Sequence, residues 1–118
     1  MAIKVWRNVA LWASVGLVAW IVITPLARSQ SVYQMLGYQQ IAGMTSATPL
    51  TIPLGAPRWA LMCVEIAGVR YRDDGSAPTS SVGQPILAGQ CVAYSGPMGS
   101  FQAIQQTSGA VLNVSYYR

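Results

Sequence analysis

The chain has 118 residues, of which 53% are hydrophobic and only 8% are charged. Its net charge of +4 comes from seven basic and three acidic side chains without a run of adjacent Lys or Arg, so specific nucleic-acid binding is not indicated. Histidine is absent, which removes the commonest general base and the commonest metal ligand. The composition therefore indicates one small domain joined to an unusually apolar segment, with no cofactor or metal.

The first 28 residues are predicted to form an apolar helix. Residues 9–27 carry no charged side chain, and nineteen residues at helical rise reach roughly 28 Å, close to the ~30 Å hydrocarbon thickness of a bilayer. The stretch shows almost no polar face, which a helix on the surface of a soluble core would have. We expect a helix for membrane insertion or for assembly, whose apolar surface includes Trp12, Leu17, Trp20 and Ile23.

Two membrane interpretations of this segment are open. A retained anchor would leave Lys4 and Arg7 on the cytoplasmic side and the rest of the chain on the other side. A secretory signal would be cleaved after Ala27-Arg28-Ser29, before Gln30. The apolar stretch is longer than the ~7–15 residues of a usual signal core, which favours the anchor.

Residues 29–47 are predicted to be a linker followed by a first edge strand. They are polar and uncharged, and Gly37 and Gly43 disfavour one long helix. We place the strand at about 38–44, with a helical stalk through Leu36 as the alternative.

Residues 48–118 are predicted to form a small antiparallel β-sandwich or barrel, because short apolar runs alternate with turn signals every 8–12 residues or so. Leu50, Ile52 and Leu54 alternate with polar or proline positions, which predicts a strand with one buried face. The longest strand is predicted over 58–72, with a bulge at Gly68. Further strands are predicted over 85–88, 91–94, 101–106 and 110–117. So small a domain buries only a modest core, so we expect it to oligomerise.

The segment 71–83 is predicted to be an exposed hairpin connection that contains the turn Asp73-Asp74-Gly75. A calcium site on the two aspartates would lack further oxygen ligands at alternate positions. Arg70 and Arg72 lie two residues apart, hence on one face of a strand, where they could pair with these aspartates or with an acidic neighbouring subunit. This group, Arg70, Arg72, Asp73 and Asp74, is our candidate interface.

Cys63 and Cys91 are the two cysteines of the chain. The burial preference of free cysteine favours two small core residues. The alternative is a disulfide, which requires a domain outside the cytoplasm and Cα atoms within ~7 Å.

The sequence does not predict an enzyme. Glu65 is expected on the solvent face of a strand, and adjacent aspartates in an extended segment point apart, whereas acid–base pairs must converge. No nucleophile elbow, phosphate loop or dinucleotide fingerprint is present.

Several blocks of the sequence resemble a group of small virion proteins of tailed phages. The blocks are Gly37-Tyr-Gln-Gln-Ile-Ala, Thr48-Pro-Leu-Thr-Ile-Pro, Val69-Arg-Tyr-Arg-Asp-Asp-Gly-Ser-Ala-Pro-Thr, Val82-Gly-Gln-Pro-Ile, Ala88-Gly-Gln and Leu112-Asn-Val-Ser-Tyr-Tyr-Arg. The resemblance covers roughly residues 37–118. It implies a compact β-domain with a structural role in a phage particle, such as capsid decoration or a minor head or tail component, and it carries over no catalytic residue.

The N-terminal helix is not part of that group's pattern. It could lie in the internal membrane of a virion, pack against partner subunits inside the particle, or anchor a homologue in the host inner membrane. We therefore expect a non-enzymatic virion protein that contacts other virion subunits. The alternative is an anchored or exported β-domain that binds a host-surface ligand, with stacking surfaces from Tyr33, Tyr38, Tyr71, Tyr94, Tyr116 and Tyr117.

Overall fold

The structure is a computed structural model that describes residues 33–118. These residues form eight strands in two antiparallel sheets, and they contain no α-helix. The strands are β1 (Met35–Ala42), β2 (Thr48–Pro49), β3 (Trp59–Glu65), β4 (Val69–Arg72), β5 (Gln84–Ile86), β6 (Cys91–Tyr94), β7 (Gln102–Gln105) and β8 (Val111–Tyr117). One 3-10 turn lies at Met98–Ser100. The prediction of a mainly β, antiparallel fold is confirmed.

The two sheets contain four strands each. The first sheet has the order β1-β8-β3-β6 and the second has the order β2-β7-β4-β5. Six of the seven connections pass from one sheet to the other, and only β4 and β5 are consecutive strands that pair as a hairpin. The chain therefore ties the two sheets together repeatedly at both ends of the strands.

The core lies between the sheets and follows the period-2 alternation of strands. On β3 the side chains of Ala60, Met62 and Val64 are buried, whereas those between them face outward. On β8 the same alternation buries Leu112, Val114 and Tyr116. Three aromatic rings join the sheets in the interior: Phe101 stacks on Tyr71 at 4.9 Å and meets Tyr94 edge-on at 5.2 Å.

The predicted strand over Leu50, Ile52 and Leu54 is wrong. Only Thr48 and Pro49 pair, with β7, and the side chain of Leu54 is 95% exposed. Proline cannot donate to a strand ladder, and Ala56 turns the chain with a φ of 54°. The backbone N–H of Thr51 donates instead to the side-chain oxygen of Gln39 at 3.0 Å.

The prediction of one long strand over 58–72 is also wrong, because residues 66–68 carry the chain from β3 in the first sheet to β4 in the second. Gly68 is not a bulge within a strand but a point of close approach. A Cβ atom there would lie 2.3 Å from the side-chain oxygen of Gln106 and 3.3 Å from the carbonyl oxygen of Ile86. A side chain at this position would meet the end of the Gln106 side chain and the backbone at the end of β5.

Cys63 and Cys91 form a disulfide, so the interpretation as two free core residues is wrong. They occupy opposite positions of β3 and β6, with their Cα atoms 4.0 Å apart. The N–H of Val64 donates to the carbonyl of Gln90. Hydrogen-bonded and non-hydrogen-bonded pairs alternate along an antiparallel ladder, so the next pair, Cys63 and Cys91, is a non-hydrogen-bonded one. The side chains of such a pair lie close together. Both side chains point to the outer face of the first sheet, where Cys91 is exposed.

The expected N-terminal helix over 1–28, with Trp12, Leu17, Trp20 and Ile23, lies outside the described residues. Within residues 33–118 the structure has no helix of the length and hydropathy that crossing a bilayer requires.

Candidate functional site

The loop that joins β4 to β5, residues 73–83, holds two of the three acidic side chains of the chain. Arg72 clamps Asp74 with two hydrogen bonds: its Nε donates to Oδ1 at 3.1 Å, and its terminal nitrogen donates to Oδ2. This hydrogen bonding, with a further bond from the backbone N–H of Ser76, lowers the pKa of the Asp74 carboxyl. The pair is exposed, so it contributes little to stability but fixes the start of the loop.

Asp73 points the other way, toward the interior. The phenolic hydroxyl of Tyr94 on β6 donates to Asp73 Oδ2 at 2.7 Å. Burial, together with the hydrogen bond to Asp73 and its negative charge, raises the pKa of Tyr94. The two adjacent carboxylates therefore have separate partners and do not converge on one point.

Arg70 does not pair with either aspartate. Its terminal nitrogen donates to the carbonyl of Gly83 at 2.8 Å, and its Nε is buried without a hydrogen-bond partner among residues 33–118. The bond joins the outer face of β4 to the end of the loop. A shallow cavity of about 400 Å³ lies at this place, lined by Tyr71, Arg72, Asp73, Asp74, Val82, Gly83 and Gln84.

The six tyrosines divide into two groups. Tyr71, Tyr94 and Tyr116 pack in or against the core, where burial raises the pKa of Tyr116 to about 12. Tyr33, Tyr38 and Tyr117 lie on the outer side of the first sheet, where Tyr33 is 69% exposed. The second group is the more exposed, whereas Tyr71 of the first group reaches the surface only where it lines the cavity at the 73–83 loop.

An aromatic cluster occupies one end of the outer face of the first sheet. The ring of Tyr117 stacks on the indole of Trp59, with centroids 4.3 Å apart and planes inclined by 14°. Tyr33 meets the same indole edge-on at 5.6 Å. A cavity of about 490 Å³ adjoins the cluster and is lined by Tyr33, Arg58, Trp59, Ala93 and Ser95. Trp59 was not singled out from the sequence, because an apolar run hides which of its residues face outward.

At the other end of the strands, four connections between the sheets lie side by side: residues 43–47, 66–68, 87–90 and 106–110. None of them contains a charged residue. Two large apolar side chains are exposed there, Ile66 at 76% and Leu87 at 54%. We call these four connections the apolar end.

Ile66 has an unusual backbone conformation. Its φ is 72°, and the N–H of Ala67 donates to the carbonyl of Glu65 at 2.8 Å, which makes a three-residue γ-turn. A β-branched residue with positive φ is rare, since Cβ crowds the following carbonyl. The fold therefore holds an exposed apolar side chain in a strained position, a feature with no signal in the sequence.

Glu65 lies on the solvent face of β3, as expected, and its carboxylate accepts a hydrogen bond from the side chain of Asn113 at 3.1 Å. Within residues 33–118, no group of three or more Cys, Asp or Glu side chains is placed to hold a metal ion.

Comparison with protein-family models, with curated proteins and with solved structures found no match to this chain.

Proposed function

We propose that the chain is a non-enzymatic structural protein of a bacteriophage particle, in which the two-sheet domain contacts neighbouring subunits. The phage assignment rests on the blocks of sequence between residues 37 and 118 that resemble small virion proteins of tailed phages. The subunit role rests on the apolar end of the domain.

The observation that carries the proposal is the conformation of Ile66. A left-handed conformation costs a residue with a Cβ atom about 1–2 kcal/mol, and glycine would avoid this cost. Strained residues of this kind concentrate at places where the conformation serves a function. The side chain of Ile66 is 76% exposed in the free domain, and contact with another molecule would remove its apolar surface from water.

The surroundings of Ile66 suit a protein surface. Its Cγ2 atom lies 3.3 Å from the position that a Cβ on Gly109 would occupy, so the 66–68 and 106–110 connections are neighbours. The 87–90 connection is tied to the end of β3 by the N–H of Gly89, which donates to the carbonyl of Val64 at 2.7 Å. Uncharged loops around apolar side chains shed no charge hydration on binding, and contacts between the loops reduce the conformational entropy that is lost.

The segment 70–79, which spans the end of β4 and the start of the 73–83 loop, supplies a second, polar contact in this proposal, together with residues 95–100 between β6 and β7. Arg72 and Asp74 neutralise each other in the free domain. Their two hydrogen bonds hold both side chains in one arrangement, which a neighbouring subunit could contact. Replacing Arg72 and Asp73 by alanine is expected to weaken assembly, because the loop loses the two side chains that fix its start.

The N-terminal helix, predicted from the sequence alone, would fix the protein to a bilayer or to a bundle of subunit helices. The domain would then reach its neighbours through its loops. Self-association into a homo-oligomer fits this arrangement.

The proposal is tested by quantitative mass spectrometry of purified particles. A structural subunit occurs in a constant ratio to the main coat protein across preparations and remains after a density gradient and a high-salt wash. A protein that is missing from the particles, or that is found only in the host envelope fraction, would contradict the proposal.

A further inference from the structure

The aromatic cluster at the start of β3 adjoins a cavity that the indole of Trp59 helps to line. Trp59 pairs with Tyr117 on β8, whose ring stacks on it. Strand β6 lies on the other side of β3. Because Ala60 of β3 pairs with Tyr94 of β6, the following residue, Ser95, lies opposite Trp59. The cavity lined by Trp59, Ala93 and Ser95 lies on this second side.

Two small residues keep that space open. Ala93 faces outward beside Leu61, and Ser95 follows β6 at the rim. Tyr33 stands at the border, edge-on to the indole. The cavity is shallow and open to solvent, and its volume of about 490 Å³ is large enough for one small-molecule ring.

The chemistry of the lining suits a sugar ring. One face of a pyranose presents C–H groups with partial positive charge, and these pack on the electron-rich face of an indole. The hydroxyls of Tyr33 and Ser95 can donate to and accept from sugar hydroxyls at the rim. A flat apolar wall with a few polar groups around it fixes both the position and the orientation of such a ligand.

The positive charge of Arg58 at this cavity would favour acidic sugars over neutral ones. Arg58 lines the cavity, and all three acidic side chains of the chain have partners elsewhere: Asp74 with Arg72, Asp73 with Tyr94, and Glu65 with Asn113. Within residues 33–118 the guanidinium of Arg58 therefore has no carboxylate partner, and such a group can bind a ligand carboxylate with two parallel hydrogen bonds.

We propose that the cavity lined by Tyr33, Arg58, Trp59, Ala93 and Ser95 binds a pyranose that bears a carboxylate, such as a uronic acid residue of a surface glycan. The sugar ring stacks on Trp59 and the carboxylate pairs with Arg58. This proposal is independent of the proposed role in a phage particle, because sugar binding and the number of copies of the chain in particles are measured in separate experiments.

The test uses the full-length chain in a buffer free of sugars and sugar-based detergents. Methyl glucuronide and its neutral counterpart methyl glucoside are titrated by ligand-detected NMR and by calorimetry. We expect the glucuronide to bind about tenfold more tightly than the glucoside, because a charge-assisted pair adds to the stacking.

The variants separate the two contributions. Arg58→Gln should remove the preference for the glucuronide and keep glucoside binding, whereas Tyr33→Ala should weaken both sugars several-fold. Two variants serve as controls. Arg118→Gln makes the same change of charge outside the cavity, and Tyr38→Ala removes another exposed tyrosine of the same sheet. Both should bind the sugars as the unchanged chain does.

Three results would overturn the proposal. They are the absence of binding by either sugar, equal binding of the two sugars, and glucuronide binding that survives both Arg58→Gln and Tyr33→Ala. Circular dichroism of each variant verifies that the sheets are intact.

Discussion

The hydroxyl of Tyr94 donates to the carboxylate of Asp73 at 2.7 Å, and this bond joins the first sheet to the loop between β4 and β5 of the second sheet. The same tyrosine packs its ring against Phe101 and Tyr71 in the core. Asp73 is thus an anchor of the loop, although its sequence neighbour Asp74 lies in solvent. The consequences can be measured.

Replacing Tyr94 by phenylalanine keeps the ring and removes the hydroxyl. Because the charged carboxylate of Asp73 loses the hydroxyl that donates to it, we expect the free energy of unfolding in urea to fall by about 1.5 kcal/mol. Tyr38→Phe is the matched control: its hydroxyl donates to Asn113 at an exposed site, and its loss should change stability by less than about 0.5 kcal/mol. Equal effects of the two changes would argue against the anchoring role of Asp73.

The disulfide is expected to be a main source of stability. It closes a chain segment with a sequence separation of 28 residues, and loop-closure entropy predicts a contribution of about 3–4 kcal/mol. The double replacement Cys63→Ser with Cys91→Ser should therefore lower the unfolding free energy by about 3–4 kcal/mol. A reducing agent should do the same to the unchanged chain and leave the double variant unaffected. If the reducing agent left the unfolding free energy of the unchanged chain unaltered, the bridge would be shown not to form.

Alkaline pH should unfold the domain through its buried tyrosines. Burial raises the pKa of Tyr116 to about 12, and burial with the hydrogen bond to Asp73 raises that of Tyr94, whereas an unfolded tyrosine titrates near pH ~10. The folded state holds these protons more tightly, so their contribution to stability is complete below pH ~10 and is lost as the pH rises toward about 12. Phenolate absorbance and circular dichroism, followed together, should show part of the tyrosines ionising only as the sheets are lost. Ionisation of all six with the sheets intact would contradict this account.

Gly83 ends the 73–83 loop at a point where a side chain does not fit. Its φ is 138°, and a Cβ atom there would lie 2.9 Å from the carbonyl oxygen of Tyr71. We expect Gly83→Ala to destabilise the chain by about 2–3 kcal/mol in urea unfolding, since both the backbone and its neighbour must shift. Gly99→Ala is the control, because a Cβ atom at Gly99 meets nothing within 4 Å. A Gly83→Ala variant as stable as the control would contradict the close approach.

The strands of this domain were predictable where apolar residues alternate or run between turn residues. The loop from Tyr71 to Gly83 and the last strand were placed from the sequence within a few residues, because Asp-Asp-Gly and Ser-Gly mark their borders. The segment 50–54 alternates equally well, yet Pro53 within it and Pro49 before it cannot donate to a ladder, and no strand forms there.

The candidate sites were harder to predict, because they depend on contacts between distant residues. The stacking of Trp59 on Tyr117 follows from the register of β3 with β8, which no local pattern gives. The strained turn at Ile66 depends on where the chain changes sheets, and the sequence there is continuous with the apolar strand before it. Pairing of Cys63 with Cys91 likewise required the register of β3 and β6.

The central claim, that the apolar end contacts neighbouring subunits, is tested most directly by Ile66→Gly. Glycine relieves the strained backbone and removes the exposed side chain, so the isolated chain should gain about 1 kcal/mol of stability while its incorporation into particles falls. Ala56→Gly is the matched control, since Ala56 also has positive φ, at 54°, and lies outside the apolar end. The measurement is the ratio of variant to unchanged chain in particles assembled from an equal mixture, determined by mass spectrometry. We predict a several-fold deficit for Ile66→Gly and none for Ala56→Gly; equal incorporation of Ile66→Gly would contradict the claim.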